Sequence, residues 1–172
     1  MKIWFLMVLA LSIGFSSVSL AKSKKKNQIQ NFRGFVQSCH DGDTCRVLVN
    51  NKSLKIRFSG IDTPEIKQPE GPMAKGFTES LILHKIVDLK CEGMSFDRLA
   101  CIVFYESKNI NEEIVRNGFA WDSPKHSHGE YNLLMMQAQN KEIGIWKTTR
   151  VSPYCFRHKN SKKCVESKLY ME

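Results

Sequence analysis

Two short acidic segments could carry chemistry in this sequence. Asp43 ends Asp41-Gly42-Asp43 and is followed by Thr44, while Asp62 and Glu65 bracket Asp62-Thr63-Pro64-Glu65. Carboxylates gathered in one place repel one another unless a cation neutralises them. Hard oxygen donors, from carboxylates and a backbone carbonyl, suit Ca²⁺. Arg57 precedes Asp62 on the strand leading to it. Taken singly, each segment has a plainer reading. An Asp-Gly-Asp run is most often only a turn, and Asp-Thr-Pro-Glu is often a solvated loop or the start of a helix.

The order of the surrounding elements decides whether these segments can meet. Residues 32–39 read as a strand ending at the turn His40-Asp41-Gly42-Asp43, since Asp-Gly between apolar runs is a strong turn signal. Residues 45–49 continue as a second strand. After Asn50-Asn51, the alternation of Leu54, Ile56 and Phe58 with polar neighbours makes a third. Each acidic segment thus lies at a strand end. Pro64 takes Thr63 out of helical conformation and stops strand pairing. Pro72 then starts a helix with Met73, Phe77, Leu81 and His84 at helical spacing. Residues 86–91 and 99–105 form a hairpin, and a short helix follows Asn109 or Asn111, with Ile110, Ile114 and Val115 inward and Gly118 as its stop. Tyr131, Leu134, Met135 and Ala138 mark a last amphipathic helix ending near Gly144, and Trp146 reads as a core plug. Five strands with a helix after the third predict a mainly β protein with α (α+β): a five-stranded OB-fold barrel with three helices.

The segments Asp41-Gly42-Asp43-Thr44 and Arg57-Phe58-Ser59-Gly60-Ile61-Asp62-Thr63-Pro64-Glu65, in this order, closely resemble the signature of the staphylococcal nuclease (thermonuclease) family. Phe96-Asp97-Arg98 stands where that family has an aromatic-Gly-Arg turn, residues 111–120 look like its second helix, and 138–146 like its terminal helix and closing tryptophan. The resemblance covers roughly residues 35–146. It implies an endonuclease that hydrolyses DNA and RNA, with little sequence specificity, to products ending in a 3′-phosphate. It also implies Ca²⁺ held by Asp43, Asp62 and the Thr63 carbonyl, with Glu65 as general base or water-orienting group, and with Arg57 and Arg98 as phosphate-binding and catalytic residues. The sequence departs from the pattern at Asp97, where the family has glycine, and at Phe96, where the archetype has tyrosine. The competing reading is a nucleic-acid-binding module of the same fold without catalysis; three carboxylates facing a polyanion argue against it.

Composition frames this reading. The chain has 172 residues and a formal charge of +9. Lys2 followed by an apolar run, with Ser19 and Ala21 before a cut, reads as an export signal over residues 1–21. Residues 22–31 are a basic segment, 32–148 the nuclease-like domain, and 149–172 a basic tail. The basic excess lies in the two ends, which fits either solvated termini or tethering to nucleic acid or an anionic surface. The export signal predicts a secreted or periplasmic protein, membrane-associated only if the signal stays uncut; no membrane span remains after cleavage. No stable protein partner is implied, and the expected state is a monomer. The six cysteines suit an oxidising compartment, and their spacing favours three local pairs, Cys39 with Cys45, Cys91 with Cys101 and Cys155 with Cys164, out of fifteen possible connectivities. None has the Cys-x₂₋₄-Cys spacing of structural zinc sites. Trp121 and Tyr131 are read as core rather than base-stacking residues, the Met135-Met136 pair as packing, and His126 and His128 as solvated.

Overall fold

A computed structural model describes residues 29–148, 151–162 and 164. The predicted export signal, most of the basic segment that follows it and much of the C-terminal tail lie outside the described residues. Strand β1 (Gln30–Cys39) pairs antiparallel with β2 (Thr44–Val49), which pairs with β3 (Lys52–Phe58). A two-residue strand β4 (Ile61–Asp62) and a loop lead to helix α1 (Gly71–Ile82). Strands β5 (Ile86–Ser95) and β6 (Arg98–Tyr105) form the expected hairpin. β5 pairs with β1, and β6 runs parallel to β3 through Ile56↔Leu99, Arg57↔Ala100 and Phe58↔Cys101. Those two pairings close a five-stranded barrel, the OB-fold architecture that the strand order predicts.

Alternation builds the interior. Val36, Val47, Ile56, Phe58, Val87, Leu89 and Val103 are buried, each separated from the next inward residue of its strand by an outward-facing one. The remaining elements are β7 (Lys108–Asn109), α2 (Ile110–Arg116), β8 (Trp121–Asp122), α3 (Pro124–Ser127), α4 (Asn132–Asn140), a 3₁₀ turn (Gly144–Lys147) and α5 (Pro153–Arg157). The three helices expected from the sequence are α1, α2 and α4; α3 and α5 are single-turn additions. Among the described residues no helix is long and apolar enough to cross a membrane.

Three local expectations shift. The inward line of α1 is Gly71, Ala74, Thr78 and Ile82, one position round from the anticipated face, and Met73 is exposed. The reason is polar: the Thr78 hydroxyl donates to the Gly42 carbonyl at 2.7 Å, so the helix docks on the first acidic turn through a hydroxyl. In the hairpin the strands run on to a two-residue turn, Phe96-Asp97, whose left-handed residue is Phe96 (φ 58°) rather than Asp97. Finally, α4 ends at Asn140, and Trp146 enters the core from the following 3₁₀ turn, edge-on to Trp121.

The three cysteine pairs are those that spacing favoured. Cys39–Cys45 and Cys91–Cys101 join directly opposed residues of neighbouring strands, and Cys155–Cys164 closes the C-terminal segment. No described cysteine is free, which removes the zinc reading.

Asn111 knits the barrel end to the acidic loop. Fully buried, it accepts from the Val103 amide at 3.1 Å and donates to the carbonyls of Ser59 and Cys101 at 2.8 and 3.3 Å. Asn111→Ala takes the side-chain partner from the Val103 amide and the Ser59 carbonyl, while the Cys101 carbonyl keeps the Ser59 amide at 2.8 Å. An unsatisfied buried group costs about 1–3 kcal/mol, so the variant should lose about 3 kcal/mol of stability. Urea unfolding checks this as a lower midpoint at unchanged slope.

Candidate active site

The two acidic turns converge at one edge of the barrel. Gly42 sits so close to Thr63 that an added Cβ would lie 2.9 Å from its side chain; only glycine permits this approach. Across the contact, the Thr63 amide donates to Asp43 Oδ2 at 2.8 Å. Asp43 Oδ1 accepts from the Thr44 hydroxyl at 3.1 Å, and the Asp43 amide donates to Asp41 Oδ1 at 3.1 Å. Asp62 is set by its own short sheet, where β4 pairs with β8 through Asp62↔Trp121.

Arg57 joins the two turns. It faces Thr44 on β2 and Ala100 on β6. Its Nη2 lies 3.2 Å from both Asp43 Oδ2 and Asp62 Oδ1, and Nη1 donates to the Phe58 carbonyl at 2.6 Å. Both carboxylates are nearly buried, so this is a desolvated ion pair in which each partner depends on the other.

Burial, and then the charge of Asp43, push the Asp41 carboxyl up to about 6. A folded carboxyl that binds its proton more tightly than the unfolded chain favours folding below the unfolded value of about 4 and loses that contribution as pH rises through about 6. Asp41→Asn keeps the oxygen that caps the Asp43 amide and removes the titration. The variant should match the parent at pH 4 and exceed it by about 1–3 kcal/mol at pH 7.5, measured by chemical unfolding in chelator. Equal stabilities at pH 7.5 would contradict the shift.

Arg98 reaches the same edge less directly. Its Nη1 donates to the Thr44 hydroxyl at 3.4 Å, one step from Asp43, and its buried Nε makes no hydrogen bond. Asp97, which replaces the family glycine, turns to Lys55 at 3.0 Å and lies 4.0 Å from Arg98 Nε. Its hydrogen bond to Lys55 is the main cause of a lowered Asp97 pKa. Phe96 is 93% exposed at the turn tip.

Glu65 is held by groups that the sequence reading did not single out. Its amide donates to the buried Gln68 Oε1 at 2.8 Å, and Gln68 Nε2 donates to the Val151 carbonyl at 3.2 Å. Arg157, on α5, donates from Nη1 to Glu65 Oε1 and to Asp62 Oδ1 at 3.2 Å, and from Nη2 to Asp62 Oδ2 at 2.8 Å. Burial raises the Asp62 pKa by more than the Arg157 hydrogen bonds lower it. For Arg157, burial alone would lower the pKa; its bonds to Asp62 and then Glu65 outweigh this and raise it above the ordinary arginine value. The only sequence signal for Arg157 was the cysteine pair that closes its segment.

The other aromatic and histidine readings agree with the structure. Tyr131 is buried under Gly60 and Trp121 packs against Trp146; of the Met135-Met136 pair only Met135 packs against the core, and Met136 is exposed, which corrects the packing reading for that residue. His126 and His128 are exposed, as the solvated reading expects. Among the described residues, no three His, Cys, Asp or Glu side chains are arranged to hold a metal ion. Guanidinium groups stand between the carboxylates: Arg57 between Asp43 and Asp62, Arg157 between Asp62 and Glu65. The donors themselves are all hard oxygens gathered round positive charge, so in chemistry the set fits Ca²⁺ or a similar hard cation.

A closed OB-fold barrel with carboxylates and arginines gathered at one edge defines the class of fold and site. Comparison with known proteins makes this specific. The model of the staphylococcal nuclease homologue family matches residues 55–148. An endonuclease of Haemophilus influenzae, itself uncharacterised, is 36% identical over 133 residues, covering 76% of this chain and 72% of the relative. Endonuclease Htp3 of Saprolegnia parasitica is 28% identical, covering 77% and 78%, and a micrococcal nuclease of Shigella flexneri is 28% identical, covering 67% and 74%. The chain belongs to the staphylococcal nuclease family and is a nuclease. Arg57, Asp62, Thr63, Glu65 and Arg98 lie within the matched stretch; Asp43 and Arg157 lie outside it.

Proposed function

We propose that this nuclease is an exported, Ca²⁺-dependent enzyme that hydrolyses DNA and RNA to 3′-phosphate-ended products with little sequence preference. The observation that carries the reading is the convergence of Arg57 Nη2, at 3.2 Å from each, on Asp43 and Asp62. Residues from separate strands and loops thereby form one cluster of opposite charges. Asp43, Asp62 and the Thr63 carbonyl would hold the cation, which when bound supplies Lewis-acid stabilisation of the phosphoryl charge.

The side chains supply the rest. Arg57 and Arg98 present fixed donors to the non-bridging oxygens, whose charge grows in the transition state. Glu65 accepts a proton from water, or aligns it, as the water oxygen attacks phosphorus. The P–O5′ bond then breaks, the 3′ side keeps the phosphate, and the departing 5′ oxygen takes up a proton to become a hydroxyl. Contacts to phosphate rather than base edges carry no sequence information, which is the basis of the low specificity.

The test is the initial rate of DNA and RNA cleavage in calcium and in excess chelator, with end-group analysis of the products. Equal rates in chelator would remove the cation from the reading, and 5′-phosphate ends would reverse the assignment of the broken bond. For export, N-terminal sequencing of the cell-free fraction should begin at Lys22; a start at Met1 would favour an uncut anchor.

A further inference from the structure

The barrel carries a segment that its fold does not account for. Residues 151–162 and Cys164 follow the family-matched stretch and return to the acidic edge. Three anchors fix them there. Pro153 and Cys164 are buried, Cys155–Cys164 closes the loop, and Gln68 ties the Val151 carbonyl to the backbone of Glu65. The Ser152 hydroxyl accepts from the Cys155 amide at 3.2 Å and so starts α5, whose last residue is Arg157.

Arg157 does not offer its fork to solvent, as a guanidinium waiting for a phosphate would. It spends the fork on both oxygens of Asp62 and on Glu65. These are the oxygens that a divalent cation and a water-activating carboxylate need free. A doubly charged ion and a guanidinium repel each other at this range, so the ion and Arg157 compete for these oxygens. The side chain itself is 38% exposed, so it can swing away without opening the core.

We propose that the segment carrying α5, residues 151–162 closed by the Cys155–Cys164 bond, forms an autoinhibitory strap: it seats Arg157 on Asp62 and Glu65, and a divalent cation gains these carboxylates only as Arg157 leaves. The inference rests on the reading of Asp43, Asp62 and Glu65 as the cation-binding, water-activating set. Cation binding and strap release are then one linked equilibrium. The apparent affinity for the ion is reduced by the fraction of molecules whose strap is withdrawn. The Cys155–Cys164 bond keeps the arginine at high effective concentration over the site, so opening that loop weakens the competition.

The test is calorimetric titration of Ca²⁺ into the purified protein, its Arg157→Ala variant and a Cys155→Ser/Cys164→Ser double variant, a readout independent of turnover. If the strap is withdrawn in about one molecule in ten, Arg157→Ala should bind Ca²⁺ about tenfold more tightly. The double variant, which keeps the guanidinium on a looser tether, should shift the same way by a smaller factor. Unchanged or weaker affinity in Arg157→Ala overturns the strap while leaving the cation site standing. Unchanged affinity in the double variant overturns the part given to the disulfide. Absence of binding in all three proteins removes the cation site and the strap together.

Discussion

Replacing Arg57 with alanine should lower the cleavage rate by about 10²–10³, the usual loss when a positioned electrostatic stabiliser is removed. Arg57 touches both acidic turns, at 3.2 Å from Asp43 and from Asp62. In the proposed reaction it also faces the phosphate, so kcat and kcat/KM should fall together, as for an interaction strengthened in the transition state. The same substitution has a second effect. It strands two nearly buried carboxylates, and breaking a buried ion pair from one side costs about 3–5 kcal/mol. Arg157 still covers Asp62, so Asp43 suffers more. The variant should therefore unfold at lower denaturant in chelator and recover part of the difference in calcium, since a ligand that binds only the folded state stabilises it. Circular dichroism separates the two effects. A folded variant that still cleaves at the parental rate would move the phosphate-binding role elsewhere.

Glu65→Gln should cost about 10²–10⁴ in kcat with little change in KM, the range for loss of a positioned general base. Glutamine keeps the size of the side chain and can still accept a hydrogen bond from Arg157, and the Glu65 amide bond to Gln68 does not involve the side chain. What disappears is the ability to take a proton. A kcat within about tenfold of the parent would show that the carboxylate neither accepts the proton nor sets the water in place.

Much of the fold is legible in the chain because local rules and global architecture agree. Alternation of Leu54, Ile56 and Phe58 gave a strand and made one, and the paired cysteines on short loops joined as proximity favours. The face of α1 was placed in part: Phe77 and Leu81 pack against the core as periodicity expects, Met73 and His84 are exposed, and hydrophobicity cannot register the Thr78 hydroxyl aimed at the Gly42 carbonyl. Asp97 raised the question of a strained turn beside Arg98. The strain passed to Phe96, and Lys55, from another strand, took the carboxylate.

The candidate site divides along the same line. Asp43, Arg57, Asp62 and Glu65 could be selected by type and order, because each sits in a motif fixed by strand ends and turns that a one-dimensional reading can locate. Gln68, Asn111 and Arg157 could not. Their importance lies in partners far along the chain: the Val151 carbonyl for Gln68, the Ser59 carbonyl for Asn111, the carboxylates of Asp62 and Glu65 for Arg157. Local geometry, a strand or a turn, is set by neighbours in sequence and is written there. An encounter between an arginine on a C-terminal helix and acids at the edge of a barrel depends on where the whole chain comes to rest, and only the closed tertiary structure decides it.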